Sequence, residues 1–196
     1  MRYLNQRDYP DTPYLTDTET PDSQRSKTGT VKQSGCGICT AIMLVDRLCC
    51  NKSFDLQDAI QLSYKTGANH RPGTDYTLYA PAFAEKFHLR FEASNDIEDL
   101  LRCLRTGGAA AVNVGGDREG RVGLLSHGGH FVLALDQAED GRIVLLDPDQ
   151  YDGKFEEPGR EGKVEIKDRR FIYCPAEELQ ADCVGKDPAY TLFWRA

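Results

Sequence analysis

The chain has 196 residues, of which 40% are hydrophobic and 28% charged, and this length and composition predict one globular domain, residues 1–196. Its formal net charge of −7 and its pI of about 5.1 argue against nucleic acid or an anionic membrane surface as a partner, since both attract clustered Lys and Arg. No apolar leader opens the sequence and no run of 18 apolar residues occurs, so we expect a cytoplasmic protein.

The first third of the chain changes character abruptly. Residues 1–32 are polar and rich in Pro, Thr and Asp, which predicts an extended lead-in followed by a loop at 16–30, because a residue before proline avoids the helical region. From Cys36 to Cys50, apolar residues recur at spacings of three and four, with few charges between them. This pattern predicts a central, buried helix.

The mainly helical part, residues 33–106, contains further periodic segments. They predict helices at 55–66, at 75–87 and from the capping-box spacing of Asn95 and Glu98 to Arg105, with a short strand at 88–93. Gly67 is a stop signal for the first of these helices, and Pro81 disfavours an uninterrupted second one.

The remainder, residues 107–196, is mainly β. Short apolar runs lie between glycines and polar turns, and Glu139-Asp140-Gly141 is a hairpin signal. The predicted strands are 109–114, 129–136, 142–147, 163–166, 170–174 and 190–194. Helices first and an antiparallel sheet second predict an α+β fold.

Cys36 stands where the polar loop enters the central helix. A thiol at a helix N-terminus faces unpaired N–H groups and the positive end of the helix dipole, which both favour the reactive thiolate. Gly35 and Gly37 flank it, and Gln33 lies three residues upstream, where its amide could join the Cys36 N–H in binding an oxyanion. A buried cap residue between turn glycines is the alternative interpretation.

Two later residues have the types that a nucleophilic cysteine needs. His130 follows two glycines at the start of an apolar strand, and Asp147 ends the next predicted strand, so the hairpin between them brings the imidazole towards the carboxylate. Asp149 competes for the same role. Asp147 is preferred because it directly follows the apolar run.

Taken together, these motifs resemble the papain-like fold and, more closely, the bacteriocin-processing (double-glycine) peptidase-like family. The matching segments are Arg2 to Pro10, Gln33-Ser34-Gly35-Cys36-Gly37, Gly129-His130-Phe131-Val132 and Asp147-Pro148. The resemblance extends from about residue 2 to about 150. It departs from the family at Cys39, a second cysteine one turn after Cys36, and residues after about 155 carry no recognised motif.

The resemblance implies a bacterial or phage cysteine hydrolase with a Cys36, His130 and Asp147 triad and with Gln33 in the oxyanion hole. It implies the nucleophile on a central helix packed against the sheet, no metal or organic cofactor, and a peptide or protein substrate, peptidoglycan peptides included. Amidase, deamidase and transglutaminase reactions use the same machinery, because the pocket and not the fold decides the substrate.

Three other interpretations compete with a hydrolase. The Cys36-Gly37-Ile38-Cys39 segment has the C-x-x-C spacing of a thiol redox protein, although the residues before it are polar rather than an apolar strand. His127 and His130 could bind zinc with a nearby cysteine or aspartate. A non-catalytic binding domain could use the same fold. Within the hydrolase interpretation, a reversible Cys36–Cys39 disulfide is a hypothesis for redox control.

Overall fold

The computed structural model describes residues 1–16, 29–49, 52–69 and 73–196, so Cys50 and residues 17–28 of the predicted loop lie outside the described residues. After a single 3₁₀ turn at Gln6–Asp8, the helices are α1 Val31–Ser34, α2 Cys36–Leu48, α3 Leu56–Thr66, α4 Tyr76–Phe87, α5 Ile97–Arg105 and α6 Ala176–Asp182. The strands are β1 Leu89–Ser94, β2 Ala109–Val114, β3 His130–Gln137, β4 Ile143–Leu146, β5 Glu165–Lys167, β6 Phe171–Cys174 and β7 Tyr190–Arg195.

All seven strands form one antiparallel sheet in the order β1-β7-β2-β3-β4-β6-β5. The hairpin predicted at 139–141 joins β3 to β4, with Leu133 opposite Leu146 and a register shift between Ala134 and Asp136. The β7 strand returns from the end of the chain to lie between β1 and β2. The predicted mixture of helices and antiparallel sheet is confirmed.

The central strands are covered on both faces. In β2, Ala109 and Ala111 pack with α2, α3 and α4, whereas Ala110 and Val112 pack with α5 and α6 on the opposite face. Period-2 alternation therefore sends successive apolar side chains into two different clusters. This double burial explains why these strands read as continuous apolar runs in the sequence.

The helix ends follow the predicted signals closely. The side chain of Asp55 accepts a hydrogen bond from the Asp58 N–H, and Gly67 ends α3 in the left-handed region with φ of 69°. Asp96, rather than Asn95, caps α5 by accepting from the Glu98 N–H. These short-range interactions depend on neighbouring residues, which is why they can be read from the sequence.

The sequence analysis was wrong about one helix and did not predict another. The α4 helix continues through Pro81, which the sequence analysis treated as disfavouring an uninterrupted helix. Pro81 is exposed and lies in the first half of the helix, so the backbone carbonyl that loses its N–H partner can be hydrated. The α6 helix was not predicted, because only Leu179 and Asp182 of its seven residues are buried and no apolar stripe forms.

No helix in the described ranges has the length and apolar character needed to cross a bilayer. The α2 helix packs against the middle of the sheet, on β2 and β3. Its N-terminus therefore lies beside the start of β3, and the end of β4 lies next to that start because the two strands are antiparallel. The topology thus gathers three chain segments that are distant in sequence.

Candidate active site

Cys36 is the first residue of α2 and is almost fully buried, with 9% of its surface exposed. Backbone N–H groups of Gly37 and Phe131 donate hydrogen bonds to its sulfur, and its thiol forms a further hydrogen bond with the His130 side chain. A Cβ on Gly37 would lie 2.6 Å from the Thr74 Cβ. Close packing against Thr74, which precedes α4, therefore requires a glycine at position 37.

His130 connects the thiol to a carboxylate. Its Nε2 lies 2.7 Å from Asp147 Oδ1, and both side chains are buried, with 5% and 0% exposure. Since Nε2 is bound to Asp147, Nδ1 is the ring nitrogen left for the Cys36 thiol. The three residues therefore form a continuous thiol–imidazole–carboxylate chain.

Burial and charge act against each other at these groups. Burial raises the pKa of the Cys36 thiol, but the hydrogen bond with His130 and its charge outweigh burial and hold this pKa below its ordinary value. Burial lowers the pKa of His130, but the charge and hydrogen bond of Asp147, together with Cys36, raise it to about 10. Both shifts therefore favour a thiolate beside an imidazolium over the neutral pair.

Asp147 binds more than the histidine. Its Oδ1 also accepts from the Asp149 N–H at 2.7 Å, and its Oδ2 lies 2.6 Å from the Nζ of Lys154, a lysine that is only 2% exposed. Burial alone raises the pKa of Asp147, but the charges of Lys154 and His130 lower it well below its usual range. The sequence analysis did not identify Lys154, and no motif marks it.

Of the two candidate acids, the structure brings Asp147 to the histidine. The Asp149 carboxylate instead pairs with Arg7 of the lead-in, at 2.7 Å. The lead-in makes further bonds to this acid-bearing loop, from the Tyr3 hydroxyl to the Asp147 carbonyl at 2.7 Å and from the Gln6 N–H to the Pro148 carbonyl at 2.6 Å. The N-terminal residues thus hold the loop that carries Asp147.

Gln33 lies on the exposed surface of α1, where its Oε1 accepts from the Thr30 N–H at 3.1 Å. Gln6 is a second amide near the site and is only 6% exposed. Its Nε2 donates to the Lys32 carbonyl at 2.9 Å, and its own N–H binds Pro148. Gln6 therefore bridges the segment before Cys36 and the loop after β4, a position that its sequence context did not reveal.

A cavity of about 170 Å³ is lined by residues that neighbour Gly37 and His130. Thr74 and Tyr76, which line it, also contact Gly37, and the Tyr76 ring stacks on Phe131 with 4.4 Å between ring centroids. The remaining lining residues are Asp75, Thr77, Asn113, Asp187, Pro188 and Thr191. The cavity is thus bounded by the neighbours of both Cys36 and His130.

The other residues proposed for chemistry lie in different surroundings. Cys39 is fully buried, is not bonded to Cys36, and has its pKa raised by burial. His127 is exposed and lies 3.0 Å from both Asp117 and Glu157. No group of three or more His, Cys, Asp or Glu in the described ranges is arranged to hold a metal ion, so the alternative interpretation of His127 and His130 as zinc ligands finds no support there.

The chain is similar to a known protein in its fold but not in its sequence. The sequence matches no family model and no curated protein. The fold is similar to a crystal structure assigned to a C39-like peptidase from Bacillus anthracis. The TM-score is 0.51 at 12% identity, over 95% of this chain and 96% of the other. At this identity the likeness shows the shared fold, a mixture of helices and antiparallel sheet.

Proposed function

We propose that this chain is a cysteine peptidase with a papain-like arrangement, in which Cys36 is the nucleophile, His130 its base and Asp147 the acid that orients the imidazole. The observation that carries the proposal is the buried chain of hydrogen bonds from the thiol through the imidazole to the carboxylate. The similarity of the fold to that of a C39-like peptidase supports the proposal. The nucleophile at the start of a helix packed on the sheet also supports it.

In the acylation half of the reaction, the Cys36 thiolate attacks the carbonyl carbon of a peptide bond. A carbon–sulfur bond forms, and the electron pair of the carbonyl moves to its oxygen. When this pair returns, the carbon–nitrogen bond breaks and the leaving amine takes the proton of the His130 imidazolium. The product is a thioester on Cys36 and a neutral His130.

In the second half, the neutral imidazole of His130 takes a proton from water while the water oxygen attacks the thioester carbon. The carbon–sulfur bond breaks, the carboxylic acid leaves, and the thiolate–imidazolium pair is restored. Asp147 stays ionised and holds one orientation of the ring throughout. These steps need no metal and no organic cofactor.

The oxyanion is held by the Cys36 N–H together with a glutamine amide, which we assign to Gln33. Its Oε1 is bound to the backbone, which leaves the Nε2 donors for a substrate oxygen. Gln6 is the competing donor, because it is buried between the two segments that carry Cys36 and Asp147. Gln33→Ala and Gln6→Ala variants separate the two, since loss of an oxyanion donor lowers kcat about 10²-fold or more with little change in KM.

The substrate in this proposal is a peptide or protein. The small cavity beside Phe131 would accept one short side chain next to the scissile bond, and the acidic surface, with a net charge of −7, does not favour nucleic acid. Screening with peptide libraries identifies the preferred sequence. Adding a primary amine during turnover distinguishes hydrolysis from acyl transfer, because a transferase yields the amide in place of the free acid.

Alkylation with iodoacetamide at pH 6, with the modified cysteines mapped by mass spectrometry, tests the activated thiol directly. We expect selective modification of Cys36 and a strong reduction in the His130→Ala variant. Cys39→Ser serves as the matched control and should leave the reaction at Cys36 unchanged. Slow and uniform modification of every accessible thiol would exclude an activated nucleophile and with it the proposed mechanism.

A further inference from the structure

Lys154 is a buried charge that the proposed mechanism does not use. It lies in a turn after β4, seven residues beyond Asp147, and is 2% exposed. Its Nζ lies 2.6 Å from Asp147 Oδ2 and donates a second bond to the Asp149 carbonyl at 3.1 Å. Removing an ammonium group from water is costly, so a lysine here indicates a need for its charge.

The two oxygens of the Asp147 carboxylate are divided between two cations. Oδ1 faces the His130 imidazole at 2.7 Å, and Oδ2 faces the Lys154 ammonium at 2.6 Å. With one cation on each oxygen, the carboxylate cannot rotate without breaking one of the two pairs. Rotation of this group would move the acceptor away from the Nε2–H and release the ring orientation that the thiol requires.

We propose that Lys154 is a positioning residue of this site, which fixes the rotation of the Asp147 carboxylate and balances its charge so that His130 stays aligned with the thiol. This inference rests on the proposed function. In the thiolate–imidazolium form, the buried charges are negative on Cys36, positive on His130, negative on Asp147 and positive on Lys154. They sum to zero only when the lysine is present.

Other charged and titratable groups face the same region from several elements. They are Tyr3 and Arg7 on the lead-in, Asp149 after β4, and Lys186 before β7, whose Nζ would lie 3.3 Å from a Cβ on Gly129. Unlike these four groups, Lys154 has its cation directly against Asp147 Oδ2. A change at Lys154 therefore alters the charge felt through Asp147 while leaving these neighbours in place.

The test compares Lys154→Met, Lys154→Gln and Lys154→Arg with the wild-type protein. NMR of ring-labelled histidine gives the pKa of His130. The pH dependence of the rate of alkylation by iodoacetamide gives the pKa of Cys36. Without the ammonium, the carboxylate can rotate away from the His130 Nε2–H and stabilises the imidazolium less, and the positive potential at the thiol falls. We expect the pKa of His130 to fall and that of Cys36 to rise, each by about one unit, in the Met and Gln variants. Arginine keeps the charge and should restore both.

The matched control is Lys163→Met, which removes one charge from a lysine that lies 3.7 Å from Glu178 and should move neither titration. Unchanged titrations in a folded Lys154→Met protein would overturn the proposal. Unfolding of both neutral variants would also overturn it, because Lys154 would then act on stability alone. If wild-type Cys36 reacts like an ordinary thiol, the proposed function fails, but the His130 titration still decides the role of Lys154.

Discussion

Two histidines only three residues apart have carboxylate partners, yet they occupy opposite environments. His130 is 5% exposed and binds one carboxylate that is itself fully buried. His127 is 57% exposed and lies between Asp117 and Glu157, both of which reach the surface. Similar distances to carboxylate oxygens therefore describe both histidines, and burial is what separates them.

Asp147, the partner of His130, and Glu157, a partner of His127, also have different neighbours. Asp147 is bound by His130 and Lys154, and through the imidazole it reaches a thiol. Glu157 accepts from the Tyr151 hydroxyl and from Arg160, a fully buried arginine, so the exposed histidine belongs to a network that fastens surface loops. An imidazole–carboxylate pair becomes chemically useful only where water is excluded and a nucleophile is within reach.

The largest expected effect is the contrast between the two histidines themselves. His130→Ala should lower kcat/KM by about 10³-fold or more, because it removes the group proposed as both the base and the acid of the reaction. His127→Ala should leave kcat/KM within about twofold, since this ring contacts no reacting group. Peptide hydrolysis assays of the two variants make the comparison, and equal losses would show that the buried pair has no special role.

The next largest contrast is in stability, between Asp147, the partner of His130, and Asp117, a partner of His127. Asp147→Ala leaves the Lys154 ammonium buried without its partner, so we expect a loss of about 3–5 kcal/mol in the free energy of unfolding. Activity should fall about 10²–10⁴-fold. Asp117→Ala removes an exposed pair with His127 and one hydrogen bond from the Gly123 N–H at 2.8 Å, so it should lower the denaturation midpoint much less. Urea titrations of both variants test this, and equal stabilities would contradict the burial argument.

The reactivity of Cys36 should depend on pH in a specific direction. Its pKa is lowered, so the thiolate persists below the range of ordinary thiols and is lost only as pH falls through this lowered pKa. The imidazolium partner is lost as pH rises through the raised pKa of His130, about 10. Alkylation rates should therefore form a plateau across neutral pH that the His127→Ala variant retains. A rate rising tenfold per pH unit towards about pH 8.5 would indicate an ordinary thiol.

The smallest effect is expected where the lead-in supports the buried pair. Tyr3→Phe removes one hydrogen bond to the Asp147 carbonyl and should cost about 1 kcal/mol of stability and a few-fold in activity. Tyr9→Phe offers the matched control, because it makes the same change on the same segment. Chemical denaturation and hydrolysis assays measure both. An identical response of the two variants would show that the Tyr3 hydrogen bond does not help to position Asp147.

Much of the fold was predictable because its signals are local. The apolar spacing after Cys36 and the glycine stop at Gly67 act within a few residues, and each matches an observed helix boundary. Burial of the sheet on both faces produced apolar runs that identify β2, β3 and β4. The α6 helix escaped prediction because it is too short to show a periodic stripe.

The sequence by itself determined the residue types that the proposed chemistry needs and their order, with Cys36 at a helix start, His130 at a strand start and Asp147 at the end of the next apolar run. Only the tertiary structure decided that Asp147 rather than Asp149 meets the imidazole, that Lys154 occupies the other carboxylate oxygen, and that Gln6 is buried while Gln33 is exposed. These contacts join segments that are distant in sequence. Their geometry depends on packing across the sheet, which local patterns do not encode.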